Sequence, residues 1–199
     1  MPQVIEAPSR TLPPATLTGI RWSVVQYENL FSMGLIEPGR YELLDGEIIP
    51  KMPIKTTHGF VQTVLLFLLA RLFGQDFVML PVSLQIGEHG LPEPDAVVTQ
   101  EPRTTYLSQR FLTPEDVRVV IEVSDATLAA DLTRKATIYA RAKIAEYWVI
   151  DVVGRRLLIH GQPTDDGYDA VTQYDETDTA TPLGVPSAPF AVRELLPPT

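Results

Sequence analysis

The run Val119-Val120-Ile121-Glu122-Val123 constrains the fold more than any other stretch of the chain. It is apolar at successive positions, so a strand built from it must be covered on both faces, as in the interior of a layered sheet. A sheet with one wet face is a poor host for it. Glu122 interrupts the run. A carboxylate buried alone is costly, so a buried Glu122 must be protonated, hydrogen-bonded or bound to a cation. The bland alternative places it at the strand end, partly solvated.

The segment that follows repeats the anomaly. Its spacing predicts a helix over 127–143, opened by Thr127 with Ser, Asp and Thr available as caps. Steps of four and three put Leu128, Leu132, Lys135, Tyr139 and Ala142 on one stripe. Lys135 therefore lies in the middle of the face that should pack on the sheet, while Arg134, Arg141 and Lys143 fall off it. Asp131, one turn earlier, offers an i,i+4 ion pair. That pair alone does not explain an ammonium among Leu and Tyr. Facing Glu122 across the strand-to-helix connection accounts for both anomalies.

A third break is Pro94-Asp95, leading into Ala96-Val97-Val98. Taken alone it is a common turn element. Taken with the others it completes a set: Asp at the start of one strand, Glu near the end of the next, Lys close behind. Two carboxylates on neighbouring strands can ligate a divalent cation, which lowers the pKa of bound water and neutralises a phosphoryl oxygen. A nearby lysine can orient the attacking water or stabilise the pentacovalent phosphorus. Hydrolysis of a phosphodiester needs these parts.

Around this set, helices are expected over 23–33 and 57–73, the second apolar around much of its girth and so largely buried. Asp45-Gly46 inside two apolar runs predicts a hairpin across 41–49. Strands are expected over 77–86, 95–99, 117–123, 145–152 and 156–160, with a weak one over 168–174. Strand, helix, strand across 117–152 reads as a crossover unit, and the class is α/β (α+β): a mixed β-sheet flanked by helices, with an N-terminal helix and hairpin. Pro-rich ends, 1–18 and 181–199, are expected as extended surface arms around a single domain over 19–180.

Composition narrows the chemistry. With 199 residues and 45% hydrophobic content the chain can bury a core. No cysteine and three histidines leave no disulfide scaffold, thiolate zinc site or cysteine nucleophile, so carboxylates must hold any metal, which favours a hard ion such as magnesium. A net charge of -9 disfavours sequence-blind coating of nucleic acid. Six of those negatives (Asp165, Asp166, Asp169, Asp175, Glu176 and Asp178) fall in one window without Lys or Arg, a candidate shield or partner surface. The start lacks a secretory pattern and the longest apolar run, 64–70, is far short of a membrane span, so no membrane association and a cytoplasmic location are expected.

The order and spacing of these segments resemble the PD-(D/E)XK nuclease-like superfamily and, more closely, the restriction-endonuclease-type proteins of the Uma2 family, over about 22–160. The matching segments are Tyr41-Glu42-Leu43-Leu44-Asp45-Gly46-Glu47, His58 opening a helix, Pro94-Asp95, Val120-Ile121-Glu122-Val123-Ser124, then Asp131, Lys135 and Tyr139, then Glu146-Tyr147-Trp148-Val149-Ile150-Asp151. Ser124 stands where the superfamily has a lysine; in this family the lysine has moved to the next helix, here Lys135. The usual glycine before the last strand is also missing from Ala142-Lys143-Ile144-Ala145. The resemblance implies metal ligands Asp95 and Glu122, completed by the backbone carbonyl of Val123, with Lys135 as the catalytic lysine. Glu42 and His58 line the same cleft in this reading, against an exposed hairpin carboxylate and a hydrogen-bonded helix-start histidine. Asp131 positions Lys135.

The expected function is thus a magnesium-dependent (or manganese-dependent) DNA endonuclease, paired as a homodimer to cut both strands. The acidic surface and the lack of a long basic stretch support the alternative, a catalytically silent nuclease-fold protein that binds or assembles. A non-DNA phosphate or nucleotide substrate is the third possibility.

Overall fold

A computed structural model describes residues 3–5, 21–185 and 187–198. In chain order the elements are β1 (Gln3–Ile5), α1 (Val24–Ser32), β2 (Tyr41–Leu44), β3 (Glu47–Pro50), α2 (Thr56–Phe73), β4 (Val78–Met79), β5 (Ala96–Thr99) and β6 (Val117–Ser124). Next comes α3 (Leu128–Ala130), continued by a π-turn (Asp131–Lys135) into α4 (Ala136–Arg141). Then follow β7 (Glu146–Asp151), β8 (Arg156–Pro163), β9 (Tyr168–Asp175), β10 (Thr179–Ala180) and β11 (Phe190–Ala191).

Seven strands form one sheet in the order β1-β9-β8-β7-β6-β5-β4. The β6–β7 pair is parallel and every other pair in this sheet is antiparallel, so the sheet is mixed and 117–152 is a crossover unit as expected. In β6 every residue but Arg118 is buried. Val119, Ile121 and Val123 face the layer that holds Val61, Leu65 and Leu69 of α2. Val120 faces Tyr139 and Ala140 of α4. By strand alternation Glu122 and Ser124 share that second face, which is how the interrupted run reconciles a packed strand with a carboxylate.

The hairpin β2–β3 turns through Asp45 and Gly46, both at positive φ (51° and 81°), as a two-residue turn of this hand requires. A Cβ on Gly46 would lie 2.8 Å from Cβ of Arg21, so the position is also sterically closed. Helix α1 begins at the Ser23 cap, whose side chain and that of Gln26 bond reciprocally to each other's backbone N–H.

Several expectations are corrected. The strand expected over 77–86 shrinks to β4, because Pro81 lacks a ladder donor; Leu84 and Ile86 make only isolated bridges. Helix α2 is not largely buried: Val61, Leu65, Leu68 and Leu69 pack inward, but Phe67 is 69% exposed and Phe60 41%. By length and composition alone this 18-residue helix is long and apolar enough to cross a membrane; one flank packs on the sheet instead. The segment after residue 181 is not a surface arm throughout, since Phe190, Val192, Leu195 and Leu196 are buried in the α2-side core. The arm expected over 1–18 lies outside the described residues apart from β1.

The missing glycine before β7 has a local answer. Lys143 adopts φ 62° after α4. Its N–H donates to the Ala140 carbonyl at 2.9 Å and that of Ile144 to Tyr139 at 3.1 Å, a Schellman cap with lysine in the left-handed position.

Candidate active site

Five elements bring the candidate residues to one place. Asp95 precedes β5 and Glu122 lies on β6, whose pairing sets Ala96 against Ile121 and so puts the two carboxylates side by side in the sheet. Lys135 ends the π-turn, His58 lies in the first turn of α2, and Glu42 belongs to β2.

Lys135 is the hub. Its Nζ lies 3.0 Å from Oε1 of Glu122, 3.2 Å from Oε2 of Glu42 and 3.9 Å from Oδ1 of Asp131. The i,i+4 partner is therefore the most distant of the three. Glu42, Glu122 and Lys135 are 8%, 4% and 8% exposed, so neither the exposed hairpin carboxylate nor the solvated strand end describes them. Burial opposes the ammonium, but Glu122, Glu42 and Asp131 outweigh it and raise the Lys135 pKa, so it is charged at neutral pH. Burial pushes the Glu122 carboxyl well above the usual glutamate range. Lys135 works against that shift, while Asp131, Asp95 and Glu42 add to it.

Each group is held. Tyr139 donates to Oε1 of Glu122 at 2.8 Å, and burial followed by that carboxylate keeps its phenol protonated. Asp95 accepts three hydrogen bonds: from His58 Nε2 and Gln62 Nε2 on Oδ1, each at 2.8 Å, and from the Val123 amide on Oδ2 at 2.7 Å. The hydroxyls of Ser124 and Thr127 both donate to Oδ2 of Asp131, leaving its other oxygen toward Lys135. Ser124 thus anchors the turn that carries Lys135. Tyr147 donates to the Asp131 carbonyl at 3.1 Å. Both Tyr147 and Trp148 are wholly buried and pack as strand residues.

Gln62 and Tyr139 were not singled out as site residues from the sequence. Tyr139 had a signal, one turn beyond Lys135 on the same stripe. Gln62 had one too, one turn beyond His58 on α2, but nothing in spacing says that this face meets Asp95.

The donor chemistry bears on a cation. Glu42, Asp95 and Asp131 act electrostatically on Glu122, and Glu122, Glu42 and Asp131 act on Lys135. Hard oxygen donors in negative excess suit a divalent ion such as magnesium or manganese. Both hydrogen bonds that the Glu122 carboxylate accepts from Lys135 and Tyr139 fall on Oε1, and none is found on Oε2 among the described residues. No three His, Asp or Glu side chains among the described residues form a ready metal cluster. A cation would rest on two carboxylates and backbone oxygen.

The family model described as "Uma2: Putative restriction endonuclease" matches residues 26–193. No curated protein matches the chain. Among solved structures, a "putative nuclease belonging to DUF820" from Anabaena variabilis ATCC 29413 is similar, with a TM-score of 0.60 and 16% identity, over 82% of this chain and 94% of that one.

Proposed function

The chain belongs to the Uma2 family of restriction-endonuclease type, and on that premise we propose that it is a divalent-metal-dependent DNA endonuclease acting through Asp95, Glu122 and Lys135. The observation that carries the reading is the buried contact of Lys135 with Glu122, 3.0 Å apart amid an excess of carboxylates.

In this reading Asp95, Glu122 and the backbone carbonyl of Val123 would hold magnesium or manganese. The bound ion would supply a water of lowered pKa and neutralise charge on a phosphoryl oxygen. Lys135, held charged, donates toward the oxygen on which negative charge develops during attack on phosphorus. Tyr139 fixes the Glu122 carboxylate through Oε1. His58 and Gln62 fix Asp95 from α2, and Asp131 and Glu42 position Lys135. These four touch no substrate in this scheme and act through the groups they hold.

The test is cleavage of supercoiled plasmid and of single-stranded DNA with magnesium or manganese. Wild type should cut, EDTA should stop it, and Glu122→Ala should not cut. Equal, negligible cleavage by wild type and Glu122→Ala would sink the catalytic reading. Pairing of two copies to cut both strands predicts twice the monomer mass by light scattering.

One observation favours the second reading, a nuclease-fold protein that binds without cutting. Both oxygens of Asp95 are already engaged by donors from the protein itself. Absence of carboxylate-dependent manganese binding in a calorimetric titration would decide for it.

A further inference from the structure

Between α1, the start of β2 and the segment 83–93 lies a cavity of about 230 Å3. Its walls carry the rings of Tyr27, Phe31, Tyr41 and Phe111 and the carboxylates of Glu28 and Glu93. Tyr27 and Phe31 meet edge to face with centroids 4.7 Å apart. The Tyr27 hydroxyl donates to the Tyr41 carbonyl at 2.8 Å, so the ring is fixed.

The charge of the walls is balanced. Glu28 pairs with Arg110 at 2.5 Å, and Glu93 pairs with Lys51. The ring quadrupoles alone would attract a cation only weakly, and these pairs remove the carboxylate charge that would strengthen such a site. What remains is a set of aromatic rings, Phe111 with the Arg110 guanidinium 5.6 Å from its centroid, and two carboxylates that can still accept hydrogen bonds. That suits a flat, neutral, aromatic ligand carrying N–H donors. Unstacked nucleobases are bound in this way, by stacking on aromatic rings and hydrogen bonds to their edges.

The cavity is joined to the candidate active site. The amide of Glu93 lies 3.5 Å from Oε2 of Glu42, the carboxylate that pairs with Lys135. Asp95 follows Glu93 by two residues, at most about 7 Å of extended chain. Tyr41 and Glu42 are neighbours on β2, one lining the cavity and the other facing Lys135.

We infer that this cavity takes a single unstacked nucleobase, one that bears an exocyclic amino group, from the strand whose phosphodiester lies at Asp95 and Glu122. The inference rests on the nuclease reading for its biological sense, but its test does not need cleavage. Deoxyadenosine, deoxycytidine, deoxyguanosine and thymidine, which carry no phosphate, are titrated into the full chain in EDTA and followed by NMR. At least one amino-bearing nucleoside should shift the Tyr27 and Phe31 resonances, with thymidine weaker by roughly fivefold. Ser83→Trp, which fills the cavity from its wall, should weaken binding roughly tenfold or more. Phe111→Leu removes one ring, keeps an apolar side chain and should weaken it as well, and it decides the matter if Ser83→Trp does not fold. Glu122→Gln should leave nucleoside binding unchanged.

No shift with any nucleoside overturns the inference, as does binding that survives Phe111→Leu in full. Tighter binding of tetramethylammonium than of any nucleoside overturns it too, in favour of a cation cage. Plasmid cleavage without nucleoside binding removes the base pocket and leaves the nuclease reading standing. Nucleoside binding without cleavage does the reverse.

Discussion

Replacing Lys135 by Met keeps most of the length of the side chain and removes the one ammonium among the described residues that pairs with Glu122, Glu42 and Asp131. Breaking a buried pair by deleting one partner costs about 3–5 kcal/mol when the remaining charge cannot be relieved. For a chain of this size that lowers Tm by roughly 6–20 °C. Here relief is available, because Glu122 can take up a proton. Its pKa in the folded protein already lies above the ordinary 4.5, through burial, and Lys135 is what holds it down. Loss of Lys135 therefore raises it further. A carboxyl whose folded pKa exceeds its unfolded one stabilises the fold below the unfolded value, and that contribution is lost as pH rises through the folded one. The deficit of the variant should thus be smaller at pH 5 than at pH 8. Across the pH range between the wild-type and variant folded pKa values of Glu122, the gap should widen by about 1.4 kcal/mol per pH unit. Urea denaturation at both pH values measures it, and Lys135→Met with Glu122→Gln should restore most of the loss at pH 8. A deficit equal at pH 5 and pH 8, or none at either, would refute the assignment of Lys135 as the buried counter-ion of Glu122.

Other perturbations bear on the same structure. Because Glu122 must give up its proton to bind a cation, manganese affinity should rise with pH above 4.5 and binding should release protons, both measurable by calorimetry in two buffers. Tyr139→Phe deletes a hydrogen bond to a buried carboxylate and should cost about 1.5–3 kcal/mol by urea denaturation. Lys143→Gly should stabilise the chain by about 0.5–1 kcal/mol, the left-handed strain relieved less the entropy of glycine, read as a rise in Tm. If Tm falls instead, the lysine contributes more than its cap geometry suggests.

The legible parts of this molecule were the ones that broke a pattern. Glu122 inside an apolar strand and Lys135 on an apolar stripe each violated a local rule, and one contact resolves both violations. The Asp-Gly turn was legible because it needs two residues at positive φ in a row. The contact of Glu42 with Lys135 joins residues far apart in the chain, and only the resemblance brought Glu42 into view. Pro81 was visible, yet the apolar letters around it suggested a longer strand than a missing donor allows. The exposed flank of α2 could not be foreseen, because an evenly apolar helix carries no mark of which side meets the sheet. Proline content alone likewise misjudged 181–199, where a few apolar side chains carry the segment into the core.

The most direct measurement is an anomalous difference map from crystals grown with millimolar manganese. The predicted result is a peak ligated by carboxylate oxygens of Asp95 and Glu122 and the carbonyl of Val123, with Lys135 beside it. A map without a peak there, or with manganese bound only elsewhere, would contradict a metal-dependent phosphodiesterase at this site.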